Sequence, residues 1–156
     1  MPDKLDRELI IQLQKDGRQS NVKLASELGV SERTIRNRLD SLLKRKVITI
    51  TSVPNLEYFG YEFIGIVGLQ IQLLSLSMIK KTLVEQPNIC YLANVAGRYD
   101  MIFIALAKST KEFATFMEDH ISNIPGIIRT ETFVCLNLYK GEISGLDISK
   151  LIKILQ

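Results

Sequence analysis

The sequence predicts an α+β chain: an N-terminal helix-turn-helix domain with a wing, then a C-terminal ferredoxin-like βαββαβ domain. Three observations carry this. Residues 1–52 hold eleven Lys and Arg against seven Asp and Glu, a net +4, whereas residues 53–156 come to −1. Two short amphipathic stretches near the start are separated only by Gly29-Val30-Ser31. After Tyr61, apolar strand-like runs alternate with helix-period runs in the order β-α-β-β-α-β. The implied boundaries are 1–53 for the first domain, 54–61 for a linker and 62–156 for the second.

In the first domain, Leu5, Leu9, Ile10 and Leu13 recur at helical spacing from an N-cap at Asp3, with Asp6 three residues on and Lys15 and Gly17 at the end. A second helix starts at Ser20, buries Val22, Leu24, Ala25 and Leu28, and stops at Gly29, a natural left-handed position. Ser31 caps a third, whose apolar residues are Ile35, Leu39, Leu42 and Leu43. The connection is so short that these two helices must cross sharply, packing Ala25 and Leu28 on Ile35 and Leu39. The β-branched run from Val47 to Val53 reads as a short strand or wing. Pro54, Asn55 and Gly60 then break both periodicities.

In the second domain, 62–73 read as a strand with Phe63, Val67, Leu69, Ile71 and Leu73 on one face, and 76–86 as a helix stopped by Pro87. Strands are expected at 88–95 and 101–107, and a helix capped by Thr110 and ended by Pro125-Gly126. A last strand over 127–139 and a short helix capped by Asp147 complete the pattern. Residues 101–107 are apolar on both faces, so an identical chain is expected to cover the bare side of the sheet, making a homodimer.

Composition narrows the class of activity. At 46% hydrophobic and 24% charged over 156 residues, the chain is globular in type rather than disordered. No apolar run reaches the ~18 residues of a membrane span, and the charged start MPDKLDREL is unlike a signal peptide, so a cytoplasmic protein is expected. Cys90 and Cys135 sit in apolar segments and read as small buried residues in a reducing compartment, with no metal site and no cofactor expected. Nucleotide-binding glycine motifs are absent, and the single His120 has no evident Ser or Cys partner, so no catalytic residues are assigned.

At ~100° per residue, the side of the third helix opposite its apolar stripe carries Arg33, Thr34, Asn37 and Ser41, with Arg36 and Arg38 on its flanks. Arg and Asn match guanine and adenine edges in the major groove of double-stranded DNA, while flanking cations neutralise phosphates. A basic solvated helix is the alternative. Glu32 suits the helix dipole, Asp40 pairs with a cation or faces water, and Lys44, Arg45 and Lys46 either touch phosphates or end the helix in solvent.

The turn Gly97-Arg98-Tyr99-Asp100 gathers a permissive glycine, opposite charges and turn amides, the partners an amino-acid zwitterion needs. Thr130 and Thr132 fall on one side of the last strand, with Glu131 between them, and are expected to line a polar pocket. Sequence chemistry alone favours a plainer account: Asp100 satisfies turn amides, Arg98 is solvated and the threonines are strand formers.

The run LDRELIIQLQKDGRQSNVKLASELGVSERTIRNRLDSLLKRKVI resembles the N-terminal half of the Lrp/AsnC (feast/famine) transcription regulators, and GRYDM and IPGIIRTETFVCLNLYK resemble its C-terminal half. QKDGR, SERTIRNRL and the G-x-x-D turn are its most specific parts. The resemblance implies a dimer, often assembled into tetramers or octamers, that binds promoter DNA and responds to a small-molecule effector, commonly an amino acid. It maps the groove-entering helix onto Arg33, Thr34, Asn37 and Arg38, and the effector site onto Gly97, Tyr99 and Asp100 with Thr130 and Thr132 nearby. Arg98 stands at a variable position, so its assignment rests on chemistry. Two other readings share the layout: an enzyme resembling sirohaem decarboxylases, and a metabolite sensor that acts through protein partners without DNA.

Overall fold

The computed structural model describes residues 2–139, and its contacts divide the chain into two compact units after Ser52. The first unit contains three helices, α1 Lys4–Lys15, α2 Asn21–Leu28 and α3 Glu32–Lys44. Each has a side-chain N-cap. Asp3 and Asp6 form a reciprocal capping box on α1, Ser20 accepts from the Lys23 amide, and Ser31 accepts from the Thr34 amide. Gly29 ends α2 at φ +66°, where a side chain would be strained. Leu9, Leu24, Ala25, Ile35 and Leu42 form the core, with Leu28 packed against it. Burying five such side chains against one another is what allows helices this short to persist.

Three details differ from expectation. Val22, expected in the buried stripe of α2, is 63% exposed. The run Val47–Val53 forms no strand, because β-branched residues favour a strand conformation without supplying a ladder partner. The C-terminus of α3 is closed by Lys46 at φ +54°. The Lys46 amide donates to the Leu43 carbonyl at 3.0 Å and the Val47 amide to that of Leu42 at 2.9 Å, a Schellman arrangement with lysine where glycine is usual.

The second unit follows the β-α-β-β-α-β order: β1 Phe63–Ile71, α4 Leu76–Val84, β2 Ile89–Asn94, β3 Met101–Ala107, α5 Thr110–Phe116 and β4 Ile127–Val134. The antiparallel sheet has the order β2-β3-β1-β4. Its helix-covered face buries Phe63, Val67, Leu69, Ile71, Met101, Phe103 and Ala105 against Ile79, Leu83, Phe113 and Phe116. Leu73 does not join that face. It is 79% exposed in a 3-10 turn, because the β1–β4 register shifts at Gln70/Ile71 and the strand ends there. Ser109 rather than Thr110 caps α5, and a π-helical turn over Met117–Ile121 continues it. Strand β4 stops at Val134, and the helix expected at Asp147 lies outside the described residues.

The other face of the sheet is partly covered by the chain itself. The stretch expected as a linker folds back as a 3-10 turn at Glu57–Phe59, and Tyr61 and Leu56 cover Leu106 to 2% exposure, alongside Ile64 and Cys90. The remaining apolar surface there includes Ile66, Tyr91 and Phe133, the last two about half exposed.

Candidate DNA-reading helix and effector turn

Helix α3 leaves Arg33, Arg36, Asn37, Ser41 and Lys44 exposed, while Ile35 and Leu42 anchor its other side. Asn37, Asp40, Ser41, Lys44 and Arg45 line one shallow surface groove. Four residues at spacings of four, four and three, namely Arg33, Asn37, Ser41 and Lys44, therefore share one solvent-facing stripe. The other expected members differ in availability. The Thr34 hydroxyl lies 2.8 Å from that of Ser31 and is engaged in the cap. Arg36 pairs with Glu32 at 2.7 Å in an exposed, hence weak, ion pair.

Arg38 is the clear departure. Its Nη1 donates to Asp3 and, at 3.3 Å, to Asp6, which is 4% exposed. It thus faces the N-terminus of α1 rather than standing free beside the stripe. These partners lie 32 and 35 residues away in sequence, so helical periodicity alone could not reveal them.

In the second unit the turn between β2 and β3 folds over the end of β1. Gly97 holds φ +135°, a conformation that a side chain would strain. The Gln70 amide side chain donates to the Arg98 carbonyl at 3.0 Å. Asp100 is committed twice: its amide donates to the Leu69 carbonyl, and its Oδ2 accepts from the Ile71 amide at 2.9 Å, where the register shifts. Its carboxylate therefore satisfies a backbone amide at the end of β1, where the plainer account of the turn expected amides of the turn itself.

The Tyr99 ring lies on the uncovered face of the sheet over Gly68, edge-to-face with Phe133 at 6.5 Å. Glu131 is registered opposite Gly68 and so belongs to that same face. Arg98 Nη2 stands 3.1 Å from Glu131 Oε2, and its guanidinium is 5.6 Å from the centre of the Tyr99 ring. The Tyr99 hydroxyl and Glu131 Oε2 are buried, and neither closes a well-directed hydrogen bond. The Glu131 carboxylate nonetheless raises the phenol above its ordinary pKa, partial burial adds to this, and Arg98 opposes it.

Thr130 and Thr132 are not part of this cluster. They are registered against Leu69 and Val67, whose side chains are in the core, so both threonines lie on the helix-side face of an edge strand and are exposed. Alternation along β4 carries Glu131 to the opposite face. Glu131, Phe133, Gly68 and Gln70 are the cluster members that motif reading missed; alternation along β4 was the available signal for Glu131 and Phe133, whereas Gly68 and Gln70 join them through the register of β4 on β1. His120 packs on Phe116 at 5.8 Å, away from the turn cluster. Among the described residues no group of three or more His, Cys, Asp or Glu could hold a metal, and no helix is long and apolar enough to cross a membrane.

Comparison with known proteins agrees with this architecture. Residues 3–43 match the AsnC-type helix-turn-helix domain, and residues 65–144 match the Lrp/AsnC ligand binding domain. An HTH-type transcriptional regulator of Pyrococcus furiosus is 30% identical over 90% of this chain and 95% of its own length. The regulator FL11 of Pyrococcus abyssi is 30% identical over 88% of this chain and 91% of its own. Among solved structures, E. coli AsnC superposes with a TM-score of 0.86 at 21% identity, covering 91% of this chain and 97% of that one. A transcriptional regulator of Neisseria meningitidis, crystallised as a complex with L-Met, superposes at 0.85 and 19% identity, covering 97% and 99%. Fold and relatives together define a helix-turn-helix, DNA-binding transcription regulator. The chain belongs to the Lrp/AsnC family.

Proposed function

We propose that this regulator reads promoter DNA with the exposed stripe of α3 and that its DNA binding answers to a free amino acid. The stripe of Arg33, Asn37 and Ser41 carries the reading. These side chains offer base-edge donors and acceptors from a helix whose opposite side is fixed in a core, with Lys44 and Arg45 at its end for phosphates. Arg36 is available once it exchanges Glu32 for a phosphate. Thr34 serves the cap, and Arg38 is withdrawn from the base-reading set.

The effector is met at the turn from Gly97 to Asp100. There Arg98 complements an α-carboxylate and Glu131 an α-ammonium, with Tyr99 and Phe133 as apolar neighbours. Support comes from the buried Tyr99 hydroxyl, which has no well-directed hydrogen bond, since such a group gains most from a ligand. The L-Met complex of the Neisseria meningitidis regulator supports the same ligand class. The partly exposed Ile66, Tyr91 and Phe133 are suited to burial by a second copy in a cytoplasmic homodimer or larger assembly. No catalytic role is proposed.

Competition binding tests the DNA reading. Duplexes selected by the native protein from a random pool should be held over random duplex, with Arg33→Ala and Asn37→Ala losing much of that preference. Arg45→Ala should weaken both duplexes alike and lower the salt slope by about one. Undiminished preference in both stripe variants would remove the assignment.

A further inference from the structure

We infer that Arg38 is a positioning residue for DNA recognition: by tying the middle of α3 to the capping box of α1, it sets the presentation of the reading stripe. The inference rests on α3 being the reading helix. Its basis is a closed network. Asp3 accepts from the Asp6 amide at 2.9 Å, Asp6 accepts from the Asp3 amide at 3.2 Å, and Arg38 Nη1 bridges both carboxylates. Asp6 is the one buried charged side chain among the described residues, so its charge needs a fixed partner, and Arg38 is the cation that meets it.

Two features separate this role from a phosphate contact. Two carboxylates surround one guanidinium, so the trio carries a net negative charge and is a poor neighbour for a phosphate. Apolar packing also leaves room for the device: α3 packs chiefly on α2, and its direct contact with α1 is sparser. A charge-assisted bridge between α1 and α3 therefore fixes an angle that the core constrains less.

The test is fluorescence anisotropy across a salt series, with a labelled duplex selected by the native protein and each variant held well below its unfolding midpoint. The positioning role predicts that Arg38→Gln and Asp6→Asn each weaken binding about ten-fold, the scale of one charge-assisted hydrogen bond. The double variant should be no worse than either single one, and the slope of log K against log salt should keep its native value. Arg38→Lys should recover part of the loss by reaching one carboxylate.

A direct phosphate contact predicts the reverse: Arg38→Gln lowers the slope by about one, and removing the acid tightens binding. That result would overturn the inference. Should Asp6→Asn fail to fold, Asp3→Asn carries the same comparison from an exposed position. A native chain that selects no duplex would remove the DNA reading itself, and this inference with it.

Discussion

The Tyr99 ring occupies the space a side chain on Gly68 would need: a Cβ there would come within 2.6 Å of the ring. Glycine in the middle of β1 thus lets the turn lie against the sheet and brings the phenol to Glu131. Gly68→Ala is expected to displace Tyr99 and destabilise the second unit by about 1–3 kcal/mol, as an overpacked site does. Thermal unfolding measures the cost. An unchanged midpoint would mean that the ring swings away freely and that the turn cluster is not preorganised.

The split of polar residues across β4 makes the effector proposal sharp. A thermal-shift screen of the standard amino acids should yield at least one that raises the midpoint, and Glu131→Gln should abolish that response. Thr130→Ala and Thr132→Ala should leave it intact, because their hydroxyls lie on the opposite face. Loss of response in a threonine variant alone would relocate the ligand to the helix-side edge of β4. Asp100→Ala is less diagnostic, since it also strips the Ile71 amide of its acceptor.

These cases also mark what the sequence could and could not disclose. Caps at Ser20 and Ser31 and the left-handed stop at Gly29 are determined within four residues, so composition reveals them, as it does the bounds of β3. The split of Glu131 from Thr130 and Thr132 follows from alternation, but which face is buried needs the register of β4 on β1. Arg38 reads as basic surface until α1 is folded beside it. The run 47–53 looks like a strand because propensity is local, whereas pairing is not.

Lys46 closes α3 in the left-handed region at a cost of about 1 kcal/mol relative to glycine. Lys46→Gly should stabilise the first unit by roughly that amount in urea unfolding. If Lys46 also meets a phosphate, the same variant loses about one unit of salt slope, so stability and DNA affinity move in opposite directions. A destabilised variant would show that Lys46 is relieved of strain by contacts its position does not suggest.

Cys90 donates its thiol to the Ile104 carbonyl at 3.3 Å, and burial pushes its pKa up to about 11. At pH 8 only a very small fraction is thiolate, the reactive form. A thiol-reactive dye should therefore label Cys135, the other cysteine of the chain, well before Cys90, which should react only on unfolding. Two equally fast thiols in the native protein would mean that Tyr61 and Leu56 do not stay seated on that side of the sheet.

Acid should weaken the α1 cap as Asp3 takes up its proton. The Asp3 carboxyl is held below its ordinary value, chiefly by the Asp6 amide and then by the Arg38 guanidinium. A carboxyl whose pKa falls on folding adds stability above its unfolded value near 3.8, and that contribution is lost as the pH drops through the lower, folded value. Stability against urea should thus decline below about pH 4 with a component that Asp3→Asn removes, since asparagine keeps an N-cap oxygen without titrating. The variant should be less stable than the native chain at pH 7 and draw level with it under acid. Parallel curves for the two proteins would mean that the charge of Asp3 contributes nothing to folding, and that the bridge from α1 to α3 depends on Asp6 alone.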